Sequence, residues 1–272
     1  MKSKLIHQFD HRFATFEGCT KDEIASGYPR ETSLAEHEDF DFEATPRYWI
    51  PEKLHLTLMK KYVHDRKWLL VYRDVTGATN QHTAISTIIP MFPATRTLPA
   101  MGLSKPEKVA FLLANLNSLV FDFLSRVKVS GMHLNFAVMK QLPIIPPEAY
   151  DTLPNEIKSR IVYCTVRLTY TSNCLREFAA EQGFIGSPIK WNSMERTDLM
   201  CELSAIYCHL YGLTRTELLY VLDTFNALKA NEIRKKGEFE IGRLVLYYYD
   251  NYSGKIGLLS LMSKEIGRDE MK

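Results

Sequence analysis

The sequence lacks a long apolar run, a signal peptide and a strong excess of charge of either sign. No stretch approaches the ~20 consecutive apolar residues of a membrane-spanning helix. Near the start, Asp10, His11 and Arg12 interrupt the segment that would have to be apolar in a signal peptide. The formal net charge is only +2 at pH 7, so any surface that attracts polyanions must be local. We therefore expect a cytoplasmic protein that makes no contact with a membrane.

Cysteine pairs in metal-binding or redox spacing are also missing. The chain has five cysteines, and none of them forms a C-x-x-C motif. An odd number of cysteines does not build a disulfide framework, which agrees with a reducing compartment. Cys201 and Cys208 fall on an apolar helical pattern with Leu203 and Ile206, so we expect them to be core residues.

The common catalytic and nucleotide-binding motifs do not occur. There is no G-x-G-x-x-G, no G-x-x-x-x-G-K-[ST] and no G-x-S-x-G. His7 and His11 are four residues apart, which on a helix would place them on one face, but no H-E-x-x-H motif includes them. We predict no catalytic residue and no metal ligand. A metal-dependent nuclease built on His7, Asp10 and His11 is kept as an alternative.

What the first part of the chain does contain is a mixture of strand and helix patterns. Residues 67–75 and 83–90 are β-branched or aromatic runs separated by turn formers, which predicts a strand pair or hairpin. Residues 27–51 are acidic and rich in turn formers, which predicts an irregular segment. Residues 133–139 alternate apolar and polar side chains and are interpreted as a strand.

A long helix is expected between these elements. Residues 104–128 carry apolar side chains at helical spacing. Ser104 and Glu107 have the spacing of a capping box, and Pro106 falls in the first turn. Gly131 is expected to follow the end of this helix as a turn.

The composition changes after Pro147 to a succession of helical patterns. Gly183 and Gly212 are expected near helix ends, and Thr214 with Glu217 has capping-box spacing. The predicted helices are 152–170, 172–182, 193–211, 214–225 and 238–252. We predict an α+β fold: a mixed α/β domain over residues 1–150 and an all-helical domain over residues 151–272.

A set of polar residues in the first part has the side-chain types that contact nucleic acid. Arg and Lys neutralise phosphates, and Asn, Gln, Ser and Arg also pair with base edges. The alternative is an ordinary solvated rim in which Asn and Thr form turns. The candidate residues are Arg73, Asn80, Gln81, Thr83, Arg96, Arg126, Lys128, Ser130, His133, Asn135, Lys140 and, beside them, Gln141.

Several blocks together resemble a known family. They are "IHQFDHRFATFEG" near the start, "WLLVYRDVTGATNQHTAISTIIP" in the middle and "LNSLVFDFLSRVKVSGMHLNFAVMKQLPIIPP" before the helical part. With the later "LTYTSNCLREFA" and "GRLVLYYYD", they resemble the C-terminal portion of restriction–modification adenine DNA methyltransferases of the type IIG, type ISP and BREX kinds. The resemblance spans nearly the whole chain.

The resemblance implies a target-recognition domain that reads DNA sequence, followed by a helical tail. The glycine-containing S-adenosylmethionine motif and the (N/D/S)PP(Y/F/W) tetrapeptide of such enzymes are absent, since "PPEAY" at 146–150 does not match. The implied partners are double-stranded DNA and a methyltransferase domain or subunit. S-adenosylmethionine is expected in that missing domain, and no cofactor is expected in this chain.

A second class of function fits the same sequence. The helical part carries several tyrosines, and tyrosine side chains are suited to docking onto a methyltransferase or a second copy of the chain. In that case the first part would only support the second. The aromatics concerned are Tyr211, Tyr220 and Tyr247 to Tyr249.

Overall fold

The computed structural model describes residues 1–62 and 66–256, without the side chains of residues 58–62. The described residues form a mixed α+β structure that is mainly helical and holds two small antiparallel sheets. This confirms the α+β class. Residues 257–272, which belong to the predicted helical domain, lie outside the described residues.

The N-terminal segment is built from short elements. Two-residue strands β1 (Ala14–Thr15) and β2 (Arg30–Glu31) pair antiparallel. Three helices lie in this part of the chain: α1 (Lys21–Ser26), α2 (Leu34–Glu38) and α3 (Glu52–Tyr62). Capping boxes begin α1 and α2, so the prediction of an irregular segment over 27–51 is wrong for β2 and α2.

The predicted hairpin is confirmed as β3 (Trp68–Tyr72) paired antiparallel with β4 (Ser86–Pro90). Every residue of both strands is buried. Alternate side chains enter different hydrophobic clusters: Leu70 and Ile88 join the main core, whereas Leu69 and Ile89 join a smaller cluster near the N-terminus. The hairpin therefore separates two apolar interiors.

The single helix predicted over 104–128 is wrong in two respects. A 3₁₀ turn at Pro106–Lys108 precedes α4 (Val109–Asn117), and its N-cap is Lys105, with no side-chain cap from Ser104. The chain then breaks at Ser118, whose extended backbone and hydroxyl cap α5 (Leu119–Lys128).

This break also bears on membrane insertion. In the described residues, no single helix has the length and apolar character to cross a bilayer. The segments Pro106–Asn117 and Leu119–Lys128 reach that composition only when joined, and a bend of 62° separates them.

The strand predicted over 133–139 is a helix instead. His133 makes one isolated bridge with Val75, after which α6 (Phe136–Met139) begins. The cause is Asn135, whose side-chain oxygen accepts a hydrogen bond from the Val138 N–H at 3.0 Å and so caps the helix. Gly131 keeps a negative φ, so the preceding bend does not require a left-handed glycine.

The C-terminal part is a succession of helices that ends at Tyr252, as predicted for the described residues. The predicted capping box of Thr214 and Glu217 is present, and Gly183 and Gly212 adopt positive φ near helix ends. One helix, α11, was not expected from the sequence. The elements are a 3₁₀ turn at Ala149–Thr152, α7 (Asn155–Thr169), a 3₁₀ turn at Asn173–Leu175, α8 (Arg176–Glu181), α9 (Ser193–Leu210), α10 (Arg215–Asp223), α11 (Asn226–Lys236) and α12 (Glu240–Tyr252).

Helices from both sides of residue 150 share the main core. The central helix α9 packs on α12 and α7, and also on α4 and α5 from the first part. The Tyr207 hydroxyl donates to the Phe111 carbonyl at 2.6 Å and lies 3.2 Å from the Tyr150 hydroxyl. The division into domains 1–150 and 151–272 stays a prediction from the sequence, and the two parts pack around this common core.

Candidate nucleic-acid interface

The loop between β3 and β4, residues 77–82, is held from behind by a buried carboxylate. Asp122 on α5 accepts hydrogen bonds from the Thr83 N–H at 3.0 and 3.2 Å. The Thr83 hydroxyl donates to the Gly77 carbonyl at 3.0 Å, which closes the loop at its base. Asp122 and Thr83 are both fully buried, so the loop is anchored in the interior of the protein.

The same loop is held from the side by an arginine. The Arg126 Nε donates to Asp122 at 2.8 Å, and its two terminal nitrogens donate to the Ala78 carbonyl at 3.0 Å and the Gln81 carbonyl at 2.6 Å. Its guanidinium also stacks 4.3 Å from the centre of the Phe225 ring. One planar side chain thus fixes two peptide carbonyls of the loop.

A short extended segment, 74–76, joins this loop to the rest of the candidate surface. The Asp74 N–H donates to the Thr97 carbonyl at 3.1 Å, and the Thr76 N–H donates to the Met132 carbonyl at 3.1 Å. The Leu134 N–H donates back to the Asp74 carbonyl at 2.8 Å. The three chain segments that carry the predicted contact residues are therefore neighbours.

Eight of the predicted contact residues are exposed on these neighbouring segments. Two of them have a local structural role as well, because Asn135 caps α6 and the His133 ring lies 3.2 Å from the Asp74 carboxylate. Lys140 lies 4.4 Å from the Phe136 ring centre. The eight are Asn80, Gln81, Arg96, Lys128, Ser130, His133, Asn135 and Lys140, and Gln141 is exposed beside them.

Three predicted contact residues hold the structure behind the candidate surface, because they are buried or bonded to backbone carbonyls. Thr83 is buried, and Arg126 is committed to the loop carbonyls. Arg73 donates to the Ser3 carbonyl at 3.1 Å and to the Ile6 carbonyl. Burial lowers the pKa of Arg73 to about 10, which is still well above neutral pH, so the guanidinium stays charged. Its hydrogen bonds hold this charge beside the N-terminal segment.

Helix α11 adds exposed basic residues next to the loop 77–82, and these were not among the residues predicted from the sequence. The Gln81 side-chain oxygen accepts from Asn231 at 3.1 Å, and Asn231 in turn accepts from Arg234 at 2.9 Å. Arg234 and the adjacent Lys235 are exposed. The signal in the sequence was the run "RKK" at 234–236, which lies in the last turn of α11.

The alternative metal site on His7, Asp10 and His11 is not formed as a unit. The His7 ring packs 4.9 Å from Phe13, whereas Asp10 accepts from the Arg12 N–H at 2.9 Å and lies 3.1 Å from His37. The segment is not helical, so the four-residue spacing does not place the two histidines on one face.

Comparisons with known proteins give no further identification. No family model matches the chain, and no curated protein or solved structure is significantly similar to it. The resemblance to adenine methyltransferases stays a prediction from the sequence. The geometry of the loop 77–82 and its neighbouring segments is the physical observation from which a function can be inferred.

Proposed function

We propose that the chain is the DNA sequence-recognition part of a restriction–modification N6-adenine DNA methyltransferase. It would position duplex DNA for a catalytic domain that is not in this chain and that binds S-adenosylmethionine. The observation that carries the proposal is the loop 77–82, whose backbone is fixed by Arg126 and Asp122 while Asn80 and Gln81 remain exposed at its tip.

A fixed loop with exposed amides suits base readout. Asn and Gln form paired hydrogen bonds with adenine in the major groove, and a loop that does not have to be ordered on binding loses less entropy. Of the two, Asn80 is the freer reader, since its amide makes only a 3.5 Å contact with the Thr76 hydroxyl. Gln81 is already oriented by Asn231.

The surrounding cations suit phosphate contact. Lys128 and Arg96 are exposed on segments next to the loop, and Arg234 and Lys235 extend the basic surface on α11. Each phosphate neutralised by such a side chain releases counterions, so the affinity for duplex DNA should fall steeply with salt. Base contacts then select among sequences.

The second candidate function is a helical scaffold that docks onto another protein. Two of the five tyrosines named for this role are exposed, which favours it. Tyr220 on α10 and Tyr247 on α12 are exposed by 68% and 58%, as docking residues would be. Of the other tyrosines named for this role, Tyr211 bonds to Asn115 at 2.8 Å, Tyr248 to Asp198 at 2.6 Å and Tyr249 to the Leu213 carbonyl at 2.6 Å. These three are engaged within the chain.

The first experiment is fluorescence-anisotropy binding to a random duplex pool at low and moderate salt, with sequencing of the bound fraction afterwards. We expect salt-sensitive binding that enriches one short motif containing adenine. Salt-sensitive binding without enrichment would show that the chain contacts the DNA phosphates but does not read the base sequence. No binding at any salt, together with a dimer that persists in high salt, would replace the proposal by the docking scaffold.

A further inference from the structure

A second group of polar side chains lies away from the loop 77–82. The ligand-type atoms of His11, Glu43 and Cys174 all lie within 4.8 Å of one another. They come from three distant parts of the sequence: the segment before β1, the irregular chain between α2 and α3, and the 3₁₀ turn that leads into α8. His11 is fully buried.

Part of the group has the dimensions of a tetrahedral metal site. In such a site, bonds of about 2.0–2.3 Å to N, O and S place neighbouring ligand atoms roughly 3.3–3.7 Å apart. The Cys174 Sγ lies 3.4 Å from the His11 Nε2. The Ser172 hydroxyl stands at a fourth corner, 3.3 Å from the same nitrogen, 3.5 Å from the Glu43 Oε1 and 2.7 Å from the Cys174 Sγ. The last distance would have to lengthen, and the Glu43 carboxylate, which forms no hydrogen bond with His11, would have to move closer to that ring.

The backbone around the group is organised by Arg12. Its guanidinium donates to the Phe42 carbonyl at 3.1 Å and to the Thr171 carbonyl at 2.8 Å. These carbonyls belong to the residues immediately before Glu43 and Ser172, and Arg12 itself is next to His11 in the chain. One buried arginine therefore ties together the three segments that supply the ligand-type atoms.

Two buried polar atoms of these residues have no hydrogen-bond partner among the described residues. Among the described residues, the buried Glu43 Oε2 has no hydrogen-bond partner. The His11 Nδ1 has none either, whereas the Nε2 of the same ring lies 3.4 Å from the Cys174 Sγ.

Solvent reaches this group through a cavity. Glu43 and Cys174 line one side of a cleft of about 920 Å³, whose other walls include Met1, Trp49 and Phe92. An ion can therefore enter from this cleft although His11 is buried.

We propose that His11, Glu43 and Cys174 bind one Zn²⁺ ion, with Ser172 or a water at the fourth corner. A set of one sulfur, one nitrogen and one carboxylate oxygen matches the ligand preference of zinc. Two anionic ligands would balance the ion, while the nearby Arg12 is held by backbone carbonyls. The ion fastens the N-terminal segment to the start of α8. This site is independent of the loop 77–82 and of DNA binding.

The test is titration of the metal-free protein with Co²⁺ and then competition with Zn²⁺. We expect one equivalent of Co²⁺ to produce the near-ultraviolet band of a cobalt–thiolate bond, and Zn²⁺ to abolish it. Cys174→Ser should remove the band, whereas Cys19→Ser, at a half-buried cysteine outside the group, should keep it. Glu43→Gln should keep the band but weaken Co²⁺ binding at least tenfold.

Two contrary results would overturn the proposal: a wild-type protein without the band, or a band that survives Cys174→Ser. Circular dichroism of each variant separates loss of the ion from loss of the fold, and Glu43→Gln provides a shape-preserving variant if Cys174→Ser unfolds. DNA affinity takes no part in this test, so its outcome does not depend on the recognition proposal.

Discussion

The loop 77–82 and the segment 128–140 lie side by side but are held in opposite ways. The loop is held by buried charge, since Asp122 is fully buried and the side chain of Arg126 is only 9% exposed. The segment 128–140 is held by apolar contacts of Val129 and Leu134 and by backbone hydrogen bonds, while Lys128 and Ser130 project freely. Substitutions behind the loop should therefore change folding and shape, and substitution of the freely projecting Lys128 or Ser130 should change binding alone.

The largest effect is expected when the buried carboxylate is removed. Asp122→Ala leaves the Nε of Arg126 and the Thr83 N–H without their acceptor, and a broken buried pair costs about 3–5 kcal/mol. Urea unfolding would measure the loss. Asp223→Ala, at the exposed pair with Lys229, is the matched control and should cost less than about 1 kcal/mol. Equal losses for both would show that the loop is not anchored through Asp122.

A smaller loss is expected from Arg126→Lys. Lysine keeps the charge but cannot bond to Asp122, Ala78 and Gln81 at once, so we expect a loss of about 1–3 kcal/mol. Hydrogen exchange of residues 77–82 should accelerate while exchange in the segment 128–140 stays unchanged. Uniform acceleration in both regions would contradict the distinction between them.

Acid should lower the free energy of unfolding through His7, which packs behind the loop with its ring 5.6 Å from that of His82. Burial, and then the charges of His82 and Arg73, lower the pKa of His7 to about 3 from its usual value of 6.5. The unfolded chain therefore binds this proton first, and the contribution of His7 to stability is full above pH 6.5 and lost as the pH falls toward 3. The slope for one such proton is about 1.4 kcal/mol per pH unit.

Urea unfolding at a series of pH values between about 7 and 4 would show this slope, and His7→Gln should reduce it by one proton. An unchanged slope in His7→Gln would exclude His7 as the group that lowers the free energy of unfolding in acid.

The smallest effect is expected on the segment 128–140 itself. Lys128→Ala should leave stability within about 0.5 kcal/mol of wild type, weaken binding to all duplexes alike and reduce the salt slope by about 1. On the neighbouring loop, Asn80→Ala should instead cost about 1–3 kcal/mol of binding free energy at one base position, because Asn80 is the freer reader. Lys21→Ala, at an exposed lysine on α1, is the control for Lys128. A sequence-dependent effect of Lys128→Ala would contradict the assignment of phosphate contact.

Local signals in the sequence predicted much of the fold. The hairpin was visible because turn formers separate two β-branched runs, and α10 because Thr214 and Glu217 bracket its first turn. The break at Ser118 was not visible, because the apolar spacing continues through it. Residues 133–139 were misassigned because a few alternating residues fit a strand or one turn of helix equally, and the cap by Asn135 decided between them.

The site was harder to predict, because residue type does not reveal burial. Arg73, Thr83 and Arg126 have the side chains of DNA contacts, and only the packing of α5 and the N-terminal segment shows that they serve the scaffold. The pair of Cys174 and His11 is separated by 163 residues, so no spacing rule could join them.

The hairpin of β3 and β4 has a consequence for how the protein comes apart. Because β3 contributes alternate side chains to the main core and to the N-terminal cluster, and β4 adds Ile88 to the first and Ile89 to the second, neither interior can open without uncovering the other. Partial melting of the N-terminal segment would leave a bare apolar sheet face, an intermediate too prone to association to persist. We expect heat or urea to dismantle both interiors in a single cooperative event.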